Sequence, residues 1–293
     1  MYKNTLLTVL FTFCSLASPL SWTAQQTVVF DLGDTLTVTD DFAAFRQVGL
    51  LNFAVYLAKN PRLFANINTL SRTIEQRFFN VLNVIEPRHK DETQTYSPRG
   101  FLLPQLMCSW MKGVRSAADT YELIMHTLTA HPEYCTSQTE YNLILAMSRL
   151  TFTPEIFAST RKLAPHALEL VQYCKEQGYR VAVLSNWDPE SFTLVQNRFP
   201  ELFNLIDDIV ISGQTGFLKP DPRAYDALLL KDPSSSPQSY IFIDDRPENI
   251  LASQKLGMNG ITCPIVGKTP DLQHVHLLMQ QYSNAYTLGT LNA

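Results

Sequence analysis

Hydrophobic and polar positions change their period along the chain. From about Ala164 onward, apolar residues at helical spacing (Leu168, Val171, Cys174) open after Pro165 and close at Gly178. They give way to Arg180 to Leu184, a short β-branched run that reads as a buried strand. The alternation repeats: a helix after Pro189, a strand over Ile209 to Ile211, a helix from Pro222 to Leu230, a strand over Tyr240 to Ile243, and a helix from Pro247 to Leu256 ended by Gly257. Helices alternating with buried strands predict a parallel sheet covered on both faces. Upstream, Thr27 to Phe30 is a four-residue apolar strand of the same type. Between it and the repeating units the pattern is helical, as in Phe42 to Leu57, Leu70 to Val84 and Ala117 to Leu128, with no clear strand. The economical reading is an α/β, doubly wound parallel-sheet core of residues 25–39 and 164–270, interrupted by a helical insertion of residues 40–163 and followed by a tail, 271–293.

The first residues stand apart. Lys3 precedes the uncharged run Leu6 to Ala17, and no charged residue returns until Asp31. The run is short for a membrane span, and small residues end it at Ser15-Leu16-Ala17, so residues 1–17, or up to 24, read as a signal peptide. A secreted or periplasmic protein, with no stable membrane anchor after cleavage, is the expectation. Four cysteines would remain, Cys108, Cys135, Cys174 and Cys263, without metal-ligand spacing; an even number in an oxidising compartment permits bridges, small buried hydrophobes fit the pattern equally well, and no disulfide is assigned.

The 293 residues are 45% hydrophobic and 17% charged, enough to bury a core and too apolar for a disordered chain. A net charge of −4 supplies no basic field for nucleic acid or anionic lipid, so anion binding must be local. Ligands of open α/β sheets bind beyond the carboxyl ends of the strands. Those ends carry Asp31-Leu32-Gly33-Asp34-Thr35, Ser185-Asn186, Lys219 and Asp244-Asp245. Acids gathered at one sheet edge repel unless a cation shares the pocket, and hard oxygen ligands suit Mg²⁺. Asp31 and Asp245 are candidate metal carboxylates with Asp244 behind them, while Ser185 and Asn186 offer donors to a phosphate. A carboxylate in line with phosphorus can form an aspartyl-phosphate, and Asp31 stands at the end of the first strand.

These motifs resemble the haloacid dehalogenase (HAD) superfamily of hydrolases. Phe30 to Leu36 (FDLGDTL), Val183 to Asn186 (VLSN), Lys219 to Pro222 (KPDP) and Ile243 to Arg246 (IDDR) match its four motifs in order, and the helical insertion corresponds to its cap domain. The resemblance implies a Rossmann-like core and Asp31 as nucleophile. It further implies Ser185 and Asn186 at the phosphate, Lys219 steadying the phosphorylated or ionised Asp31, and Mg²⁺ held by Asp31, Asp245, the Gly33 carbonyl and Asp244. A phosphatase acting on a small phosphorylated molecule is the expected activity. Cap hinges around Thr37 to Phe45 and Thr153 to Ala164 would gate the substrate.

One position departs from the pattern. Most phosphatase members carry a second Asp two residues after the nucleophile, as general acid for the leaving oxygen, and here that position is Gly33. Such help is worth about 10² to 10⁴ in rate. Asp34 is displaced by one residue and, on an extended backbone, would face the other way. Two alternatives follow: a 2-haloacid dehalogenase-type hydrolase, which has little use for the Asp244-Asp245 pair, and a catalytically weak binding protein with this fold. The cluster Arg88-His89-Lys90 reads as a solvated face.

Overall fold

The computed structural model describes residues 25–49, 54–55, 58 and 67–287. The expected signal segment lies outside the described residues, as does most of Leu50 to Leu57.

Five strands make one parallel sheet: β1 (Thr27–Phe30), β4 (Arg180–Ser185), β5 (Asp208–Ile211), β6 (Tyr240–Asp244) and β7 (Asn259–Thr262), in the order β5-β4-β1-β6-β7. The strand alternation sends neighbouring side chains to opposite layers. Val28, Phe30, Val181, Val183, Ile241 and Ile243 pack under helices Ala167–Glu176, Pro189–Arg198 and Leu272–Thr287. Val29, Ala182, Leu184 and Phe242 pack under Pro222–Leu229 and Pro247–Lys255. Burial on both faces explains why these strands read as continuous apolar runs.

The chain leaves the core through β2 (Thr37–Thr39) and returns through β3 (Arg161–Leu163), and these two strands pair antiparallel. Neither strand was expected from the sequence pattern. Three residues leave too short an alternation to read, and the pairing partners lie far apart in the chain. Between them run helices Asp41–Val48, Ile67–Ile85, Gln105–Met111, Ala117–Ala130, Gln138–Phe152 and Pro154–Ser159. Their starts follow local chemistry: the side chains of Asp40, Ser116 and Ser137 each accept a backbone N–H of the first turn they cap. Phe78, Leu82, Leu106, Trp110, Ile124, Leu128 and Ile144 form a separate apolar centre for this helical region.

Two further expectations change. Residues 272–287 of the segment read as a tail form a helix whose Leu272, Val275 and Met279 are buried in the core, because its apolar residues recur at helical spacing and meet the sheet face. Arg88 is not part of a solvated face: its guanidinium donates to the Leu103 and Thr93 carbonyls, which lie along the loop it staples. Cys108, Cys135, Cys174 and Cys263 are buried free thiols.

Candidate active site

Counting only its own strands, the sheet runs 3-2-1-4-5, so the chain reverses direction across the sheet between β1 and β6. A crevice opens at such a switch point, beyond the carboxyl ends of the strands. The register places the site residues there: Phe30 stands opposite both Val183 and Ile243, one step before Asp31, Leu184 and Asp244. The Asp31 N–H donates to the Ile243 carbonyl at 2.9 Å, which fixes the backbone where the strand ends. Pro189, Pro222 and Pro247 each begin the following helix, and Asp188 and Asp221 cap two of them. The turns that carry the motifs are therefore short and rigid.

Lys219 organises the centre. Its Nζ donates to Asp31 Oδ1 at 2.8 Å, Asp244 Oδ2 at 2.7 Å and the Leu184 carbonyl at 2.8 Å, so all three ammonium protons are used. Ser185 Oγ donates to the same Asp31 Oδ1 at 2.8 Å. Asn186 spends its side chain on Lys219: Oδ1 accepts the Lys219 N–H at 2.7 Å and Nδ2 donates to the Lys219 carbonyl at 3.0 Å. Asn186 was expected at the phosphate; its side-chain amide instead pins the loop that delivers the lysine. Asp244 accepts from Lys219, from the Arg246 N–H at 2.8 Å and from Asn249 Nδ2 at 3.0 Å to each oxygen. Both its oxygens are thus committed to protein donors.

The charges are unevenly matched. Burial, partly opposed by Lys219 and reinforced by Asp244, lifts the Asp31 carboxyl to about 6. Burial, together with the Asp31 and Asp244 charges, pushes Asp245 up to about 8. Its nearest cation is Arg246 Nε at 3.4 Å. Burial pulls the Lys219 ammonium down, but the Asp244 and Asp31 carboxylates outweigh it and hold its pKa above the ordinary value. Oxygens of Asp31, Asp244 and Asp245 lie within 4.8 Å of one another. An all-carboxylate donor set with surplus negative charge fits a hard divalent cation. Asp31 and Asp245 are the residues free to ligate it, while Asp244 holds Lys219 and Asn249 in place.

Asp34 does not face away. Its φ of 57° puts it in the left-handed region, so the strand alternation assumed from the sequence does not apply, and it lines the same cavity as Asp31 and Gly33. Burial raises its carboxyl, opposed by the charges of Arg161, Arg246 and Arg99. Arg161 comes from β3, donates from Nη1 to Thr39 Oγ1 at 2.7 Å and stacks 4.1 Å from the Phe157 ring centre. Burial lowers it to about 10, and Asp34 counteracts part of that fall. Beside Gly33 stands Trp187, whose Nε1 donates to Ser191 Oγ at 2.9 Å and whose ring meets Phe157 edge-on. Sequence reasoning missed Asn249, Arg161 and Trp187. Asn249 could have been found, since it lies in the first turn of the helix that follows Asp244-Asp245. Arg161 lies within the hinge segment Thr153 to Ala164 expected to gate the substrate, but no local signal singles it out, because the β2–β3 pairing brings it to the site.

The cavity that holds these groups has a volume of about 490 Å³, within the roughly 300–1,000 Å³ of small-molecule sites.

Comparison with known proteins adds the following. The sequence pattern of the haloacid dehalogenase-like hydrolases matches residues 25–257. A sesquiterpene phosphatase of Aspergillus oryzae is 33% identical over 92 residues, 31% of this chain and 46% of that protein. A drimenol cyclase of Aspergillus calidoustus is 32% identical over 82 residues, 28% of this chain and 15% of that protein. The chain therefore spans less than half the length of either relative. A HAD family enzyme of Bacteroides thetaiotaomicron, solved with magnesium and inorganic phosphate, superposes with a TM-score of 0.51 over 83% of this chain and 96% of that one at 18% identity, a likeness of fold.

Proposed function

The chain belongs to the haloacid dehalogenase-like hydrolases, and on that premise we propose that it is a magnesium-dependent phosphomonoesterase that works through an aspartyl-phosphate on Asp31. The observation that carries the proposal is the arrangement around Asp31: one carboxylate oxygen held by Ser185 and Lys219, with Asp245 and its surplus charge beside it.

Asp31 and Asp245 would hold the ion, with the Gly33 carbonyl as the third protein ligand carried by the family resemblance. When bound, Mg²⁺ supplies positive charge against the phosphate and the acids. Lys219 and Ser185 keep the Asp31 carboxylate in a single orientation, so little reorganisation precedes attack. The Asp31 oxygen forms a bond to phosphorus as the bond from phosphorus to the alcohol oxygen breaks, and the departing alkoxide takes its proton from solvent. Water then attacks phosphorus and gives up a proton to solvent, the bond to Asp31 breaks with the carboxylate restored, and inorganic phosphate departs. Lys219 balances the negative charge that returns to Asp31. Gly33 has no proton to give the leaving oxygen, so esters of good leaving groups should turn over fastest.

The relative named for phosphatase activity supports the same chemistry, as does the magnesium and phosphate in the Bacteroides enzyme. The insertion of residues 40–163 is read as a cap, with the β2–β3 pair as its hinge. Export directed by residues 1–17 belongs to this proposal, and sequencing the mature N-terminus of secreted protein tests it. For the activity, release of phosphate from an aryl phosphate is measured with Mg²⁺, with chelator, and for Asp31→Asn. Turnover that needs both the ion and Asp31 is expected; hydrolysis of a 2-haloacid that survives chelation would overturn the proposal in favour of dehalogenase chemistry.

A further inference from the structure

We infer that the substrate's alcohol half is an extended apolar group, so that the enzyme acts on the phosphate monoester of a hydrocarbon-like alcohol and not on a sugar or nucleoside phosphate. The inference rests on the phosphatase reading of the same site. One cavity is lined both by the Asp31, Ser185, Lys219 and Asp245 cluster and by the helical insertion. Away from the acids it has an apolar wall of Ile74 and Phe78 from Ile67–Ile85, Met107 and Trp110 from Gln105–Met111, Met147 from Gln138–Phe152, and Phe157, which shares the cavity with polar side chains such as Ser71, Tyr96, Ser97 and Thr151. Charged groups also enter this cavity: Arg161, Arg246, Arg99 and Glu75 influence the Asp34 carboxyl, and Asp41 and Glu248 line the cavity as well. Several of these charges are already paired: Arg99 Nη1 lies 2.9 Å from Glu75 Oε2, Arg246 Nε 3.4 Å from Asp245 Oδ2, and Lys268 Nζ 2.7 Å from Asp41 Oδ2.

A polyhydroxylated leaving group lying along the phenyl, indole and thioether wall would place hydroxyls against surfaces without partners, and buried polar groups without partners are costly. A hydrocarbon chain loses nothing there and gains up to roughly fourfold in affinity for each methylene buried. Thioethers of Met107, Met111 and Met147 also line the cavity, and their flexible side chains adapt to bent or branched chains. The space beside Gly33 carries the same character, since the Trp187 ring stands there.

The test uses calorimetric titration of the Mg²⁺-loaded protein with n-decylphosphonate and ethylphosphonate, both non-hydrolysable, below the concentration at which micelles form. The decyl compound is expected to bind at least about thirtyfold tighter, with a negative heat-capacity change. Met147→Glu, a half-buried cavity position, and Ala44→Trp, which fills space without adding charge, should each cut that preference at least tenfold, and thermal melting confirms that each variant is folded. Affinities within threefold of each other in the wild type would overturn the inference. So would a preference for the long chain that both variants leave intact, because the chain would then bind elsewhere. If long-chain binding holds but no phosphate ester is hydrolysed, the apolar chamber stands and the phosphatase reading falls.

Discussion

A Cβ at position 33, two residues after Asp31, would stand 3.6 Å from Cζ3 of Trp187, so the indole flanks any side chain placed there. Alanine makes an ordinary van der Waals contact here, and a longer side chain has to turn past the ring. Gly33→Asp is therefore expected to raise turnover of alkyl phosphates less than about threefold in the wild-type background, and at least about tenfold more when combined with Trp187→Phe, given that general acid help is worth about 10² to 10⁴. Steady-state kinetics on alkyl and aryl phosphates for the four proteins of this cycle check it. Equal gains in both backgrounds would mean that the ring does not obstruct the acid.

Proton binding at the acidic cluster gives the metal-free protein a pH-dependent stability. Asp31 and Asp245 rise from 3.8 to about 6 and about 8 in the folded state, so the folded protein binds protons more tightly than the unfolded chain. Their contribution to stability is full below about pH 4 and is lost as the pH rises through 6 and then 8. Mg²⁺ held by these acids would neutralise the charge that appears over this range. Melting temperatures of chelator-treated protein should fall between about pH 5.5 and pH 8.5, while the increase produced by Mg²⁺ grows. A magnesium shift that stays flat or shrinks over this interval would contradict the assignment of the ion to these acids.

Removing Lys219 leaves Asp31 and Asp244 facing each other without a counter-charge. Its side chain is 2% exposed, so water cannot take its place easily. Lys219→Met should cost about 3–5 kcal/mol of stability at alkaline pH, as breaking a buried ion pair does, and clearly less near about pH 5, where Asp31 is protonated. Urea unfolding at the two pH values measures the difference. A loss of the same size at both would point to lost packing against Phe242, which lies 5.2 Å from Nζ, as the larger effect.

Asn249 acts through Asp244. Both Asp244 oxygens accept from its amide, and Asp244 in turn holds Lys219. Asn249→Ala should weaken Mg²⁺ about 10- to 100-fold, the usual cost of losing an outer partner of a metal site, while the protein stays folded. Calorimetric titration with Mg²⁺ alone reads this, and unchanged affinity would remove Asn249 from the account.

The sheet and the four strand-end motifs were legible because buried parallel strands read as apolar runs and their polar ends stand out against them. Asp31, Ser185, Asp244 and Asp245 meet in space because β4, β1 and β6 are neighbours in register, and Lys219 joins them from the loop after β5 that Asn186 holds. What stayed hidden depends on long-range pairing or on single dihedral angles. Arg161 reaches the cavity only through the three-residue ribbon it forms with Thr39. Asp34 turns into the cavity through one positive φ, which the strand alternation could not foresee. The motif assigned Asn186 to phosphate, whereas its amide is consumed by the Lys219 peptide. Trp187 beside Gly33 is a contact between two motifs that sequence spacing leaves unconnected.

The central claim is that Asp31 becomes phosphorylated. Protein quenched during turnover of an aryl phosphate with Mg²⁺ and reduced with borohydride should yield, by peptide mass spectrometry, homoserine at position 31. Without substrate, or with chelator, Asp31 should remain unchanged. Steady hydrolysis with Asp31 unmodified, or with the reduced residue at another acid, would contradict the claim.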